Sequence, residues 1–201
     1  MKTLVIIDVQ NDFMPNGALA VPNGDRIVPI INKVLGQFDL IVATQDWHPA
    51  NHKSFASNHI GKKSFETIML GGLEQVLWPN HCVQGTLGAE FYPSLETRGI
   101  AAIFRKGMDL DIDSYSGFYD NGRQISTGLT GYLHDKGAKE LYFCGLCADI
   151  CVYFTIKDAI NEGFRCSLIE DATCPLNELK FISLREELLY KGTKILKSVE
   201  L

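Results

Sequence analysis

No stretch of this sequence approaches the ~18 consecutive apolar residues of a membrane-spanning helix, so a span is excluded. Basic runs are missing too, and the formal charge is −5, which removes an electrostatic surface for nucleic acid. The opening "MKTLVIIDVQNDF" turns acidic too soon for a secretory signal, and no small-residue cleavage site follows it. Internal repeats, low-complexity tracts and linkers are lacking. Six cysteines without a secretory signal read as reduced thiols in a cytoplasm, not as a disulfide framework. At 201 residues, one domain over 1–201 with a full core is expected.

What is present is a series of short apolar runs rich in β-branched and aromatic residues. They are "TLVIID" (3–8), "DLIVATQD" (39–46), "IAAIFRK" (100–106), "ELYFCG" (140–145), "RCSLIED" (165–171) and "TKILKS" (193–198). Such runs suit strands buried on both faces of a parallel sheet. Helical patterns lie between them: 25–38, 126–137 opening on Ser126 and stopping at Gly137, Asp149 through Glu162, and 177–192 opening on Asn177. The alternation predicts βαβ units and a doubly wound α/β fold. The segment at about 47–99 does not fit it. That segment carries four of the five histidines and both tryptophans, and a long irregular stretch of this kind points to function.

Several of the runs end in chemically capable residues: Asp8, Asp46, Lys106 and Cys144. In open α/β sheets ligands bind outside the carboxyl ends of the strands, so these would gather at one rim. For Glu170 and Asp171 the plainer reading is that the strand ends where water begins.

The stretch "YFCGLCADICVYF" holds Cys144, Cys147 and Cys151. Cys144 and Cys147 form a CxxC, but a thioredoxin-like pair sits at a helix start, and here the helix is expected only after Asp149. Structural zinc needs a second matching pair, and none exists. Cys151, with Asp149 as N-cap, falls in the first helical turn. There the dipole and free amides favour a thiolate and offer an oxyanion site. Cys144, Cys166 and Cys174 read as buried apolar residues. Lys106 would favour a charged sulfur, and Asp8 could accept and return its proton.

"TQDWHPANHKSF" sets Asp46 and His48 two apart, on one side of an extended chain, and "WPNHCVQGT" supplies His81. Two imidazoles and a carboxylate with open positions suit zinc, iron or manganese. His52, His59, Ser54 and Cys82 are weaker ligands. His52, His59 and His134 are expected on solvated loop or helix surface.

The blocks "IIDVQNDF", "TQDWHPANHKSF", "WPNHCVQGTLGAEF", "FRKGMD", "YSGF" and "GLCADICV" together resemble the nicotinamidases, or pyrazinamidases, of the isochorismatase-like cysteine hydrolase superfamily. The resemblance implies a three-layer fold with a six-stranded parallel sheet flanked by helices. It implies a triad of Asp8, Lys106 and Cys151. It also implies one divalent metal, zinc first and iron or manganese next, held by Asp46, His48 and His81 with Ser54 as an additional candidate. Phe13, Trp78 and Tyr115 would line the pocket for a small-molecule substrate, nicotinamide. A cis peptide would fall at Leu146–Cys147, with the amides of Cys147 and Cys151 as oxyanion hole. A homo-oligomer is an open expectation. The last block departs from the family by carrying Cys147 in place of Ala and Ile150 in place of a ring. The rival readings are an isochorismatase, which would cleave a vinyl ether without the metal cluster, another amidase of the superfamily, a CxxC redox or metal-binding protein, and a pure binding module.

Overall fold

The computed structural model describes residues 1–201. All six apolar runs form strands, and all six belong to one sheet. In chain order the strands are β1 (Lys2–Ile7), β2 (Leu40–Asp46), β3 (Thr67–Leu70), β4 (Leu73–Val76), β5 (Ala102–Lys106), β6 (Glu140–Leu146), β7 (Arg165–Cys174) and β8 (Lys194–Leu196). The sheet runs β5-β2-β1-β6-β7-β8, every pairing parallel. β1 and β2 are buried along nearly their whole length. This is why they read as continuous apolar runs and not as alternating ones.

The helices are α1 (Val28–Val34), α2 (Leu129–Asp135), α3 (Tyr153–Asn161) and α4 (Glu178–Tyr190). They flank the sheet and send Ile31, Leu133, Ile156 and Leu188 into one continuous core with the strands. Asn177 caps α4 as expected, its side chain accepting from the Lys180 amide at 3.0 Å. α2 starts two residues later than its Ser suggested: Gly128 is the cap, and Ser126 Oγ accepts from the Gly128 amide.

Three expectations need correction. β7 does not stop at Asp171 but continues to Cys174. A bulge makes this possible: between its pairings with Phe143 and Gly145, β7 runs from Leu168 to Thr173, so the strand bends and resumes. Asp149 does not cap a helix. A π-helical turn over Ala148–Val152 leads into α3, and its cap position is Cys147. The Asp149 carboxylate instead accepts from the amides of Leu176 and Asn177, at 2.7 and 3.2 Å, tying down the turn before α4. Finally, the irregular segment contains an antiparallel hairpin, β3 with β4, that short and half-exposed runs did not reveal.

From β1 the chain crosses to β2 and on to β5 at one edge, then returns from β5 to β6 on the other side of β1. The point of reversal opens a crevice beyond the carboxyl ends of these strands. Gly145 allows β1 and β6 to close on each other just below it: a Cβ there would stand 2.0 Å from the Ile7 carbonyl oxygen.

Candidate active site

Four adjacent strands, β5, β2, β1 and β6, each deliver one functional side chain to the rim. Asp8 follows β1 with a backbone φ of 46°, a left-handed conformation that is costly for a residue other than glycine. Asp46 ends β2 and Lys106 ends β5, and the two are register partners. Cys151 lies in the π turn after β6.

Lys106 is the hub. Its Nζ lies 2.9 Å from Asp8 Oδ2, 2.5 Å from Asp46 Oδ1, 3.5 Å from Cys151 Sγ and 3.0 Å from the Ser114 carbonyl oxygen. The ligating atoms of Asp8, Asp46 and Cys151 all fall within 4.8 Å of one another. Asp8, Asp46, Lys106 and Cys151 are each no more than 5% exposed. Thr44 Oγ1 donates to Asp8 Oδ1 at 2.6 Å, whereas Asp8 Oδ2 makes no hydrogen bond of ordinary geometry and has Lys106 beside it. One Asp8 oxygen is therefore fixed, and the other is left to exchange a proton.

The charges divide unevenly. Burial acts to lower Lys106, but Asp46, Asp8 and Cys151 outweigh it and hold the ammonium well above its usual range. Burial acts to raise Asp46, but Lys106 and His48 keep it well below the carboxylate range. Asp8 goes the other way: burial raises it despite Lys106. The hydrogen bond with Cys147, then burial, push the Cys151 thiol well above its usual range, with Lys106 pulling the other way. The thiolate expected from the helix start is thus not the resting form. With Cys147 and burial both opposing ionisation more than Lys106 favours it, the proton stays on sulfur until a base takes it.

A cluster that could hold a metal ion adjoins this group. His48 Nε2 and His81 Nε2 stand 3.7 and 3.6 Å from Asp46 Oδ2, and the three residues can offer ligand atoms within 4.8 Å of one another. His48 Nδ1 is 2.9 Å from the Gly107 carbonyl oxygen and His81 Nδ1 is 2.8 Å from that of Pro79. A carbonyl only accepts, so each Nδ1 carries a proton, and in the neutral ring each Nε2 presents a lone pair toward Asp46. Asp46 divides its two oxygens between Lys106 and this pair of imidazoles. Gly107 is constrained by the same arrangement: with φ 66°, a Cβ would come within 2.3 Å of His48 Cε1.

Ser54 is buried, but its Oγ lies 2.7 Å from His52 Nδ1, so it would have to share that bond to reach a metal. His52 itself is not on a solvated surface. It is fully buried, its ring centroid 4.6 Å from that of His48, and its Nε2 makes no hydrogen bond of ordinary geometry. His134 is exposed and His59 half-buried.

Beside the charged group is a small cleft lined by Phe13, Trp78 and Tyr115, with Leu19 and Ile150 completing its apolar wall. Asp46, His81, Lys106, Cys147 and Cys151 form its polar end. The Trp78 and Tyr115 rings meet edge-on at 6.2 Å. Gln75, on the hairpin, donates to Tyr115 Oη and Asp113 Oδ2, both at 3.1 Å, fixing that wall. The peptide bond Leu146–Cys147 is cis.

Three supporting residues were not singled out in the sequence. Thr44 fixes Asp8, and Gln75 fixes Tyr115. Gln10 clamps the backbone of Asp46, accepting from its amide and donating to its carbonyl, both at 2.8 Å. Gln10 lies inside the block "IIDVQNDF", where an amide three residues past β1 was the available signal.

The isochorismatase domain model matches residues 2–186. A nicotinamidase from Acinetobacter baylyi is 51% identical over 169 residues, 84% of this chain and 79% of that protein. A solved nicotinamidase/pyrazinamidase from Acinetobacter baumanii superposes with a TM-score of 0.96 at 44% identity, covering 99% of this chain and 97% of that one. A solved pyrazinamidase of Pyrococcus horikoshii in complex with zinc superposes with a TM-score of 0.80 at 37% identity, covering 98% of each chain.

Proposed function

The chain belongs to the isochorismatase family, and from that membership we propose that it is a nicotinamidase, a cysteine hydrolase that cleaves nicotinamide to nicotinate and ammonia. The related amide pyrazinamide fits the same reading. The observation that carries it is one lysine within 3.5 Å of both a carboxylate and a thiol at the end of an aromatic cavity, with a two-histidine cluster alongside. A vinyl-ether-cleaving isochorismatase has no use for that cluster.

Asp46, His48 and His81 would hold one divalent ion, zinc first, with iron and manganese also compatible with the donor set. Ionised Asp46 and two imidazole Nε2 atoms turned toward it fit such an ion. When bound, it supplies a Lewis-acid position for the pyridine nitrogen.

The chain's own residues do the rest. Phe13, Trp78 and Tyr115 hold the ring flat and keep water away, leaving the carboxamide carbon in front of Cys151. Asp8 takes the thiol proton as the sulfur attacks that carbon. Lys106 stabilises the negative charge that moves between them. The oxyanion accepts from the amides of Cys147 and Cys151. As the tetrahedral species collapses, Asp8 returns the proton to nitrogen and ammonia leaves. Asp8 then deprotonates a water that attacks the thioester, and nicotinate departs as the thiol is restored. A carboxyl raised toward neutrality suits both halves of this exchange. The Asp8, Lys106 and Cys151 titrations belong to the group as a whole.

The chain 1–201 is proposed to act as one domain, with the excursion at about 47–99 supplying the ring and metal side chains. A reducing cytoplasm suits its six unpaired thiols. No helix is long and apolar enough to cross a membrane. The test is ammonia release from nicotinamide by the metal-loaded protein, with Cys151→Ala as control. Turnover is expected to fall by about a thousandfold or more in the variant. Full activity in Cys151→Ala would sink the nucleophile.

A further inference from the structure

The reaction uses only the backbone amide of Cys147. Its thiol has no task there, yet Cys147 and Cys151 sit four residues apart in one π-helical turn and line the same cavity. The local fold explains the pairing. Cys147 caps a π-helical turn, with the Val152 amide donating to the Cys147 carbonyl at 3.1 Å, and the residue about one turn further along lies on the cap's side. That residue is Cys151. Cys144, the other half of the CxxC, faces away into the core, does not line the cavity, and has its thiol pushed up by burial. The dithiol at this site is therefore Cys147 with Cys151.

We propose that Cys147 is a resolving thiol for the nucleophile, making the pair a site of reversible oxidation by hydrogen peroxide or a small organic peroxide. The Cys151 sulfur attacks one peroxide oxygen and the O–O bond breaks. The departing oxygen takes up the thiol proton as water or alcohol, and Cys151 becomes a sulfenic acid. Lys106 at 3.5 Å stabilises the attacking thiolate. The Cys147 sulfur then attacks the sulfenic sulfur. The S–O bond breaks, the hydroxyl leaves as water with the Cys147 proton, and a 147–151 disulfide closes. Two equivalents of an external thiol reduce it to the starting pair. Without Cys147 a second peroxide would carry Cys151 to the sulfinic acid, which thiols do not reverse. The proposal rests on Cys151 being the reactive thiol, but its mass readout needs no turnover and stands apart from nicotinamide hydrolysis.

Metal-loaded enzyme is treated with hydrogen peroxide, blocked with iodoacetamide under denaturing conditions and cleaved before aspartates. This separates Asp135–Ala148, which holds Cys144 and Cys147, from Asp149–Lys157, which holds Cys151. The expected product is the two fragments joined and two hydrogens lighter, in Cys144→Ala as well as in wild type. A parallel sample given dithiothreitol should regain nearly all its own starting activity. In Cys147→Ala, and in Cys147→Ser as a second replacement, Cys151 should carry two oxygens, and thiol should recover roughly tenfold less of each variant's starting activity. Unjoined fragments with doubly oxygenated Cys151 in wild type would overturn the proposal. So would a Cys144–Cys147 link, or recovery in the Cys147 variants equal to wild type.

Discussion

Asp46 and Lys106 are register partners on neighbouring parallel strands, and their side chains meet at 2.5 Å between Oδ1 and Nζ. The other Asp46 oxygen faces His48 and His81. One carboxylate thus joins the Asp8–Lys106–Cys151 group to the two imidazoles, and the two sets cannot be perturbed separately through it.

Asp46→Asn should therefore behave differently from His81→Ala. Both should lose metal content, measured by atomic emission. Chelation of the wild type should silence it, and metal return should restore it. Excess zinc should recover part of the His81→Ala activity but little of Asp46→Asn, in which Lys106 has also lost a counter-charge. Full rescue of Asp46→Asn by metal would contradict the shared role.

Lys106→Met should cost about 3–5 kcal/mol of stability at neutral pH, because it strands two buried carboxylates. Asp46 is depressed in the fold, so its stabilising contribution is present above its unfolded value of 3.8 and fades as pH falls through the lower folded value. The gap between wild type and Lys106→Met in urea midpoints should accordingly shrink in acid. A gap that widened on acidification would rule this out.

Asp8→Asn should separate activity from stability. Turnover should drop by about 10²–10⁴-fold with loss of the proton carrier. Asp8 is raised in the fold, so its ionised form costs stability at pH above the folded value, and that cost is absent below 3.8. The amide should then leave Tm at or above wild type at neutral pH, with the advantage gone in strong acid. A lower Tm for Asp8→Asn at pH 7 would be the opposite result.

Gly107→Ala should loosen the metal by about 10–100-fold through His48, whose ring occupies the space a Cβ would need. Gly137→Ala makes a control: it shares a positive φ, of 73°, but meets open space. It should cost only about 1 kcal/mol, the strain of a side chain in that conformation, and leave metal affinity unchanged. Titration with a competing chelator distinguishes the two.

The central strands β1 and β2 were legible because burial on both faces makes them near-continuous apolar runs, and the outer ones by their β-branched and aromatic residues. Asp8, Asp46 and Lys106 were legible as their polar ends. The hairpin β3–β4 was not, since its residues are half-exposed and too few to show a period. His52 looked solvated because the packing that buries it comes from Phe55 and His48, folded back by a turn that no local pattern announces. Asp149 looked like a cap because its true partners, the amides of Leu176 and Asn177, come from a distant stretch. The Cys147–Cys151 pairing was hidden behind the CxxC because spacing alone does not reveal a π turn.

β5 is the outermost strand of its sheet, paired on one side only and half-exposed over most of its length, yet it carries Lys106. Outer strands fray at lower free energy than central ones. Gentle warming or mild denaturant would unseat the ammonium group while β1 and β6 stay paired. Catalysis would then disappear over a range in which circular dichroism still reports an intact protein.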